Sequence, residues 1–299
     1  MIFGAVFCYN GNMFFRKYKS ILSPQNGMNI YRGCTHGCIY CDSRSKCYQI
    51  NHDFADIEVK EDAPKQLDTE LSMKRKPCMI GTGSMTDPYN HVEKEIEYTR
   101  KCLEVILKHN CGVAIQTKSD LILRDIDLIN AINKDSKAVV EITLTTADDE
   151  LCKRIEPNVC PTSKRIEILR KCKELGIPTV VWLCPFLPFI NDNEENINKL
   201  MDICIENDVK GVLFFGVGLT LREGNREYFY ECLDKEFPCL KEKYIKQYGN
   251  KYEVSSNKNE VLSKIIIDRC REHNIVCDIN QVFSYLRKYP DKFEQIPLF

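Results

Sequence analysis

The sequence predicts an α/β fold in which a parallel sheet is covered by helices. Short apolar or β-branched runs recur along the chain at 28–33, 77–83, 112–118, 138–146, 178–186 and 209–218. Near-continuous apolar character is expected of strands that are buried on both faces, and strands that alternate with helical segments are typical of a parallel sheet. Six such units suit either an open doubly wound sheet or an incomplete barrel.

Helical periodicity separates the later runs. Three segments predict helices, at 91–109, 162–175 and 193–207. In the second of these, Ile166, Leu169 and Cys172 recur at a spacing of three or four residues, which indicates one apolar helix face. Gly176 and Pro178 follow directly and predict the end of that helix.

The pattern changes after about residue 222. Helical segments follow at 225–234, 238–248, 258–273 and 279–288, with few strand signals between them. We therefore divide the chain into an N-terminal extension at 1–27, a core at 28–222 and a helical C-terminal extension at 223–299. The last part holds 13 basic and 13 acidic residues. Its aromatic side chains favour core packing over the alternative of base stacking: Tyr228, Phe229, Tyr230, Tyr244, Tyr248 and Tyr252.

Charge excludes a global polybasic surface for nucleic acid or anionic membrane, because the formal net charge is −1. The first fifty residues are an exception, with six basic side chains and one acid, a local excess of +5. Two interpretations remain open for this stretch. It forms either a solvated basic surface or a positive rim that attracts an anionic substrate.

The 17 cysteines do not suggest a disulfide framework. Their number is odd, and several lie inside apolar runs, as Cys184 and Cys204 do, where cysteine behaves as a small buried hydrophobe. The opening residues lack the basic start of a signal peptide, and no apolar run approaches the ~18 residues of a membrane span. A reducing cytoplasm is the expected location.

Three closely spaced cysteines indicate a metal centre. Cys34, Cys38 and Cys41 follow the first predicted strand in a C-x-x-x-C-x-x-C spacing. Gly33 and Gly37 are expected to let a tight loop turn all three thiolates toward one point. Four cysteines would complete an iron–sulfur cluster, so three leave one iron open, as in catalytic metal sites. A zinc site would need a fourth ligand, and His36 is poorly placed to supply it.

This motif resembles that of the radical S-adenosylmethionine (SAM) superfamily, and its flanks resemble the spore photoproduct lyase-like branch. The resemblance implies an incomplete (β/α)6 TIM-like barrel with a C-terminal helical extension, a [4Fe–4S] cluster held by the three cysteines, and SAM at the open iron. It implies that SAM is cleaved to a 5′-deoxyadenosyl radical that abstracts hydrogen from a substrate. It also implies an electron donor of the flavodoxin or ferredoxin type.

The same resemblance suggests the residues that contact SAM. Tyr40 occupies the aromatic position near the adenine, and the segment 81–89 resembles the second-strand motif, which contributes Ser84 and Asp87. Lys118, at the end of the third strand, resembles a position that pairs with the SAM carboxylate. The remaining predicted contacts are Thr143 or Thr145 at the ribose, together with Glu156 and Arg165.

No motif in the chain matches the branch's dedicated hydrogen-donor cysteine. Cys184, Cys78 and Cys47 are the candidates, because we expect them near the mouth of the barrel, although each is also compatible with a packed thiol. Without that cysteine, repair of the spore photoproduct itself is not predicted.

Three functions follow as hypotheses. The first is a radical SAM enzyme that repairs or modifies a base of nucleic acid, and the second is the same chemistry on a peptide or a small metabolite. The third, of another class, is a non-catalytic iron–sulfur protein that binds or senses.

Overall fold

The computed structural model describes residues 12–290. Its strands are β1 (Met13–Arg16), β2 (Gly27–Met28), β3 (Tyr31–Arg32), β4 (Ile57–Lys60), β5 (Met79–Thr82), β6 (Gly112–Thr117), β7 (Ala138–Thr143), β8 (Thr179–Trp182), β9 (Gly211–Leu213), β10 (Gly218–Thr220) and β11 (Glu253–Ser255). Its helices are α1 (Ala63–Ser72), α2 (Glu93–Ile96), α3 (Tyr98–Lys108), α4 (Ile126–Asp135), α5 (Asp149–Ile155), α6 (Thr162–Leu175), α7 (Glu194–Glu206), α8 (Asn225–Glu236), α9 (Leu240–Tyr248), α10 (Asn259–Glu272) and α11 (Ile279–Arg287).

Six strands form one parallel sheet in the order β2-β5-β6-β7-β8-β9. Helices α1, α3, α4, α6 and α7 lie between these strands in sequence, which is the repeating βα arrangement of a barrel. The sheet stays open between β2 and β9, so the fold is the incomplete (β/α)6 barrel that the motif resemblance implied.

Strand β7 illustrates how burial on both faces separates two cores. Ala138, Val140 and Ile142 belong to the large core between the sheet and its helices, because successive side chains point to opposite faces. Val139 belongs to a smaller core inside the barrel. Glu141 shares the inward face, so a carboxyl group lies within this interior.

Helix α11 fills part of the barrel interior. Its Val282 and Leu286 are buried against Met79, Ala114 and Val139, which come from three neighbouring strands. The helix contacts both β5 and β9, which lie near opposite ends of the strand order. The C-terminal extension therefore contributes to the barrel itself.

The prediction of one strand over 28–33 was wrong. Strand β2 pairs with β5 in the barrel, whereas β3 pairs antiparallel with β4 in a separate three-stranded sheet, β1-β4-β3. In the sequence these two strands, of two residues each, form a single apolar run. Hydrophobicity alone does not show that the chain passes from one sheet to another between them.

The predicted helices after residue 222 are present, with bounds that differ by a few residues. Strand β11 was missed, and it pairs antiparallel with β10. Phe229, Tyr244 and Tyr248 are buried in a second core, which confirms core packing for these three aromatic side chains. The boundaries of the three chain segments stay a prediction. In the described part of the chain, no helix is long and apolar enough to cross a membrane.

Candidate active site at the carboxyl edge of the barrel

The cysteine loop is held in place by backbone hydrogen bonds. The Cys34 amide donates to the carbonyl of Phe54 at 2.8 Å, and the Ile39 amide donates to the carbonyl of Ile155 at 3.0 Å. Gly33 has φ +85°, and a Cβ at this position would lie 2.3 Å from the carbonyl oxygen of Asp56. Only glycine fits there, which explains the residue before the first cysteine.

All three cysteines of the loop are free thiols, and two of them are buried. Burial raises the pKa of Cys34 to about 12, with a smaller contribution from Cys41. Burial also raises the pKa of Cys38, and Lys118 opposes that rise. A bound metal overrides such shifts, because a coordinating thiol is deprotonated outright. The mutual electrostatic influence of these thiols indicates that they face a shared region.

The expectation that the three thiolates turn toward one cluster stays a prediction. Among residues 12–290, no group of three or more His, Cys, Asp or Glu side chains is arranged to hold a single metal ion. A cubane cluster makes a different demand, because each thiolate binds its own iron at a separate corner. Three free thiols on one fixed loop fit that demand. His36 lies 3.5 Å from Asp87, and burial lowers its pKa to about 4.

Asp87 connects this loop to two strand ends. Its carboxylate accepts hydrogen bonds from the Thr117 hydroxyl at 2.7 Å and from the Lys118 amide at 2.8 Å. It also accepts from the amide of Tyr89 at 2.9 Å. With these partners, Asp87 positions the ends of β5 and β6 relative to His36. Its predicted contact with SAM is not tested and stays a prediction.

Two hydroxyl groups, one at the last residue of β7 and one just beyond it, have no hydrogen-bond partner among residues 12–290. Thr143 Oγ1 and Thr145 Oγ1 are buried without a hydrogen bond, although buried polar groups are nearly always satisfied. Such hydroxyls fit a ligand that supplies the missing donors or acceptors, as the ribose of SAM would. Lys118 is close enough to Cys38 and Glu156 that both raise its pKa, against the lowering effect of burial.

Glu156 and Arg165 pair with each other. Arg165 Nη2 lies 2.6 Å from Glu156 Oε2, and both side chains are wholly buried. Tyr40 donates its hydroxyl hydrogen to Glu156, and Arg165 Nη1 donates to the carbonyl of Thr143 at 2.9 Å. The pair thus connects Tyr40 of the cysteine loop to the end of β7. Direct contact of Glu156 and Arg165 with SAM remains a prediction, and the geometry supports a positioning role.

Sequence reasoning missed a cavity inside the barrel. Its volume is about 500 Å³, and its lining includes Ser84, Gln116, Glu141 and Trp182. Trp182 Nε1 donates to Glu141 Oε2 at 2.7 Å. The alternation along 138–146 was the available signal, because it places Glu141 on the same face as Thr143.

The three candidate hydrogen donors lie in different places. Cys184 follows β8 at the carboxyl edge, and Lys118 acts on its pKa, which burial raises to about 12. Cys47 is exposed, beside Arg222. Cys78 directly precedes β5 and therefore lies at the amino edge. Its expected position near the mouth was wrong, because parallel strands place all their starts at the opposite end.

Comparison with known families settles the class of the protein. A family model described as the radical SAM superfamily matches residues 28–201, which include the cysteine loop and the four barrel strands from β5 to β8. The chain belongs to the radical SAM superfamily. It is an enzyme whose cofactors are a [4Fe–4S] cluster and SAM, and the hypothesis of a non-catalytic protein is set aside.

Relatives of this radical SAM protein are similar over most of the chain. An uncharacterized protein of Methanocaldococcus jannaschii is 31% identical over 77% of this chain and 79% of its own length. An uncharacterized protein of Mycobacterium tuberculosis (strain H37Rv) is 27% identical over 74% of this chain, and the match spans 66% of that relative's length.

Among solved structures, spore photoproduct lyase complexed with dinucleoside spore photoproduct has the same fold. The TM-score is 0.62 at 13% identity, over 87% of this chain and 79% of the lyase. The likeness agrees with the branch that the cysteine motif resembles. At this identity it establishes the fold alone.

Proposed function

We propose that this radical SAM enzyme holds its cluster through Cys34, Cys38 and Cys41 and acts on a base of nucleic acid, as a repair or modification enzyme. The observation that carries the proposal is the loop of three free thiols, which Tyr40, Glu156 and Arg165 link to the strand that carries the unpartnered hydroxyl of Thr143. A second unpartnered hydroxyl follows at Thr145. Catalytic residues of such barrels gather at the carboxyl edge.

When bound, the cluster and SAM supply a 5′-deoxyadenosyl radical that removes hydrogen from the substrate. The chain's contribution is to bind, orient and shield. Lys118 provides a positive charge for the carboxylate of SAM, and Thr143 and Thr145 offer their hydroxyls to the ribose. Tyr40, held by Glu156, presents its ring to the adenine. Ser84 completes the predicted contacts from the loop after β5.

Two observations support a nucleic-acid substrate. The solved lyase with the same fold is complexed with a dinucleoside. The basic stretch of this chain also keeps Lys17 and Lys19 exposed, and exposed cations attract phosphate. We further propose that reducing equivalents come from a flavodoxin- or ferredoxin-type donor in the cytoplasm. If the reaction returns hydrogen to the substrate, Cys184 is the candidate donor at the correct edge.

The cluster assignment is tested with the full-length chain, reconstituted anaerobically. Wild type should contain iron and sulfide, show the absorption of a [4Fe–4S] cluster, and convert SAM to methionine and 5′-deoxyadenosine after reduction with dithionite. The variant Cys38→Ala should lose the absorption and the conversion together. Cys239→Ala is the matched control, because Cys239 is exposed and outside the motif.

Zinc in place of iron, or a cluster that survives in Cys38→Ala, would contradict the cluster assignment. The substrate class has a separate test, which is binding of single-stranded oligonucleotides at increasing salt. Affinity that falls steeply with salt supports a contact with phosphates. Production of 5′-deoxyadenosine that responds to a small metabolite or a peptide, and not to oligonucleotides, would overturn the nucleic-acid proposal while leaving the cluster in place.

A further inference from the structure

The cavity inside the barrel is lined by a carboxyl group that is almost wholly buried. Glu141 is 5% exposed, and its hydrogen-bond donor is the indole of Trp182 at 2.7 Å. Among the described residues that line this cavity, Arg287 is the other charged side chain. A buried carboxylate is normally paired with a cation or neutralised, and Glu141 forms no salt bridge within the described part of the chain.

The wall beside Glu141 is aromatic. The rings of Trp182 and Phe283 lie 6.1 Å apart in an edge-to-face arrangement, and both line the cavity. Gln116, the strand neighbour of Glu141 on β6, adds a side-chain amide, and Ser84 adds a hydroxyl. An apolar wall with a few convergent polar groups is the usual composition of a small-molecule site, and about 500 Å³ falls within the usual size range.

The two charged groups that line the cavity differ in sign and in exposure. Glu141 lies deep, whereas Arg287 is exposed at the end of α11. A ligand that matches both has hydrogen-bond donors at one end and a negative charge at the other. A cationic amine satisfies Glu141 and is repelled by Arg287. A nucleotide satisfies both, because a base with an amino group donates to a carboxylate and a phosphate pairs with guanidinium.

We infer that this cavity binds the base of a nucleotide that carries an exocyclic amino group, with Glu141 accepting hydrogen bonds from the base and Arg287 contacting the phosphate. The ring of the base lies against Trp182 and Phe283, and Gln116 is available for its remaining polar atoms. This inference rests on the proposed nucleic-acid function, and it assigns the specificity for the base to the residues that line the cavity.

The test uses the reconstituted full chain with SAM, kept anaerobic. AMP, CMP, GMP and UMP are titrated by calorimetry, and the emission of Trp182, the only tryptophan of the sequence, reports whether they bind in the cavity. The three amino-bearing nucleotides should bind about tenfold more tightly than UMP and should change the emission. In Glu141→Gln, this ratio of affinities between the amino-bearing nucleotides and UMP should fall about tenfold. Arg287→Ala should lower the affinity for nucleotides several-fold and leave the affinity for the corresponding nucleosides unchanged.

Arg271→Ala is the control for a change of charge, because Arg271 is an exposed arginine that pairs with Asp268. Binding of all four nucleotides with equal affinity, binding that leaves Trp182 emission unchanged, or a preference for butylammonium over nucleotides would each overturn the inference. Salt-sensitive oligonucleotide binding that persists in these cases would show that the proposed function stands and that only the placement of the base is wrong.

Discussion

Arg165 Nη2 and Glu156 Oε2 lie 2.6 Å apart with no exposed side-chain surface on either residue. Through this pair, the cysteine loop is linked to the fourth barrel strand, since Tyr40 donates to Glu156 and Arg165 donates to the carbonyl of Thr143. Burial alone would raise the pKa of Glu156, but Arg165 and Lys118 hold it below its usual value. The carboxylate is therefore charged and compensated.

Removing one partner of this pair should destabilise the fold strongly. Glu156→Gln leaves the Arg165 guanidinium buried without its counter-charge, which typically costs about 3–5 kcal/mol. Denaturant unfolding of the chain measures this loss. Glu150→Gln, on the helix that ends just before Glu156, is the control, because its exposed pair with Lys153 is worth about 1 kcal/mol or less. Equal stability of the two variants would show that the buried pair does not support the structure.

The cysteine loop should depend on the absence of a side chain at Gly33. Gly33→Ala would place a Cβ 2.3 Å from the carbonyl of Asp56 in a residue with φ +85°, so the loop must shift. We expect a large loss of bound iron per chain after reconstitution. Gly176→Ala is the control, since its φ is +66° and nothing lies within 4 Å of the added Cβ, which leaves about 1–2 kcal/mol of backbone cost. Full iron content in Gly33→Ala would contradict this account.

Much of the barrel could be predicted from sequence because its strands are buried on both faces. Strand β7 is buried at all six positions, and this leaves a mainly apolar run in the sequence, interrupted by Glu141 and Thr143. Strand β2 of the barrel sheet and strand β3 of the small sheet could not be predicted in the same way. Strands β2 and β3 have two residues each, which is too short for a periodic signal, and their partners lie far along the chain.

The site divides along similar lines. Cys34, Cys38 and Cys41 could be identified because their spacing is local. The contact between Glu141 and Trp182 joins residues 41 positions apart, so no local pattern records it. Glu156 and Arg165 could be named from the resemblance, but their sequence does not distinguish a ligand contact from a buried ion pair, since burial is decided by the elements packed around them.

The unpartnered hydroxyl of Thr145 predicts two effects of opposite sign. Thr145→Val removes a buried polar atom that has no hydrogen bond, so the SAM-free protein should keep its stability or gain up to about 1 kcal/mol. If the hydroxyl contacts the ribose, the affinity for SAM should fall about tenfold. Equilibrium dialysis with SAM and denaturant unfolding measure the two effects.

Thr146→Val is the matched control at the next position. Its hydroxyl accepts a hydrogen bond from the Asp148 amide at 3.2 Å, so this variant should lose stability and keep its affinity for SAM. A loss of stability without a loss of SAM affinity in Thr145→Val would remove this hydroxyl from the predicted cofactor contacts.

Glu141 should make the stability of the protein depend on pH near neutrality. Burial raises its pKa from 4.5 to about 7, and the hydrogen bond from Trp182 opposes the rise only in part. The folded chain therefore binds a proton more tightly at this site than the unfolded chain. The contribution of Glu141 to stability is largest below pH 4.5 and is lost as the pH rises to about 7.

Glu141→Gln removes this titration and keeps an oxygen for Trp182, so its stability relative to wild type should rise between pH 5 and pH 8, by up to about 3 kcal/mol. Denaturant unfolding at the two pH values measures the change. Glu174→Gln is the control, because Glu174 is half-exposed or more and pairs with Lys171 at the surface. If the free energies of unfolding of wild type and Glu141→Gln differ by the same amount at both pH values, the carboxyl is already ionised in the folded protein. The interior of the cavity would then carry a full negative charge throughout this range.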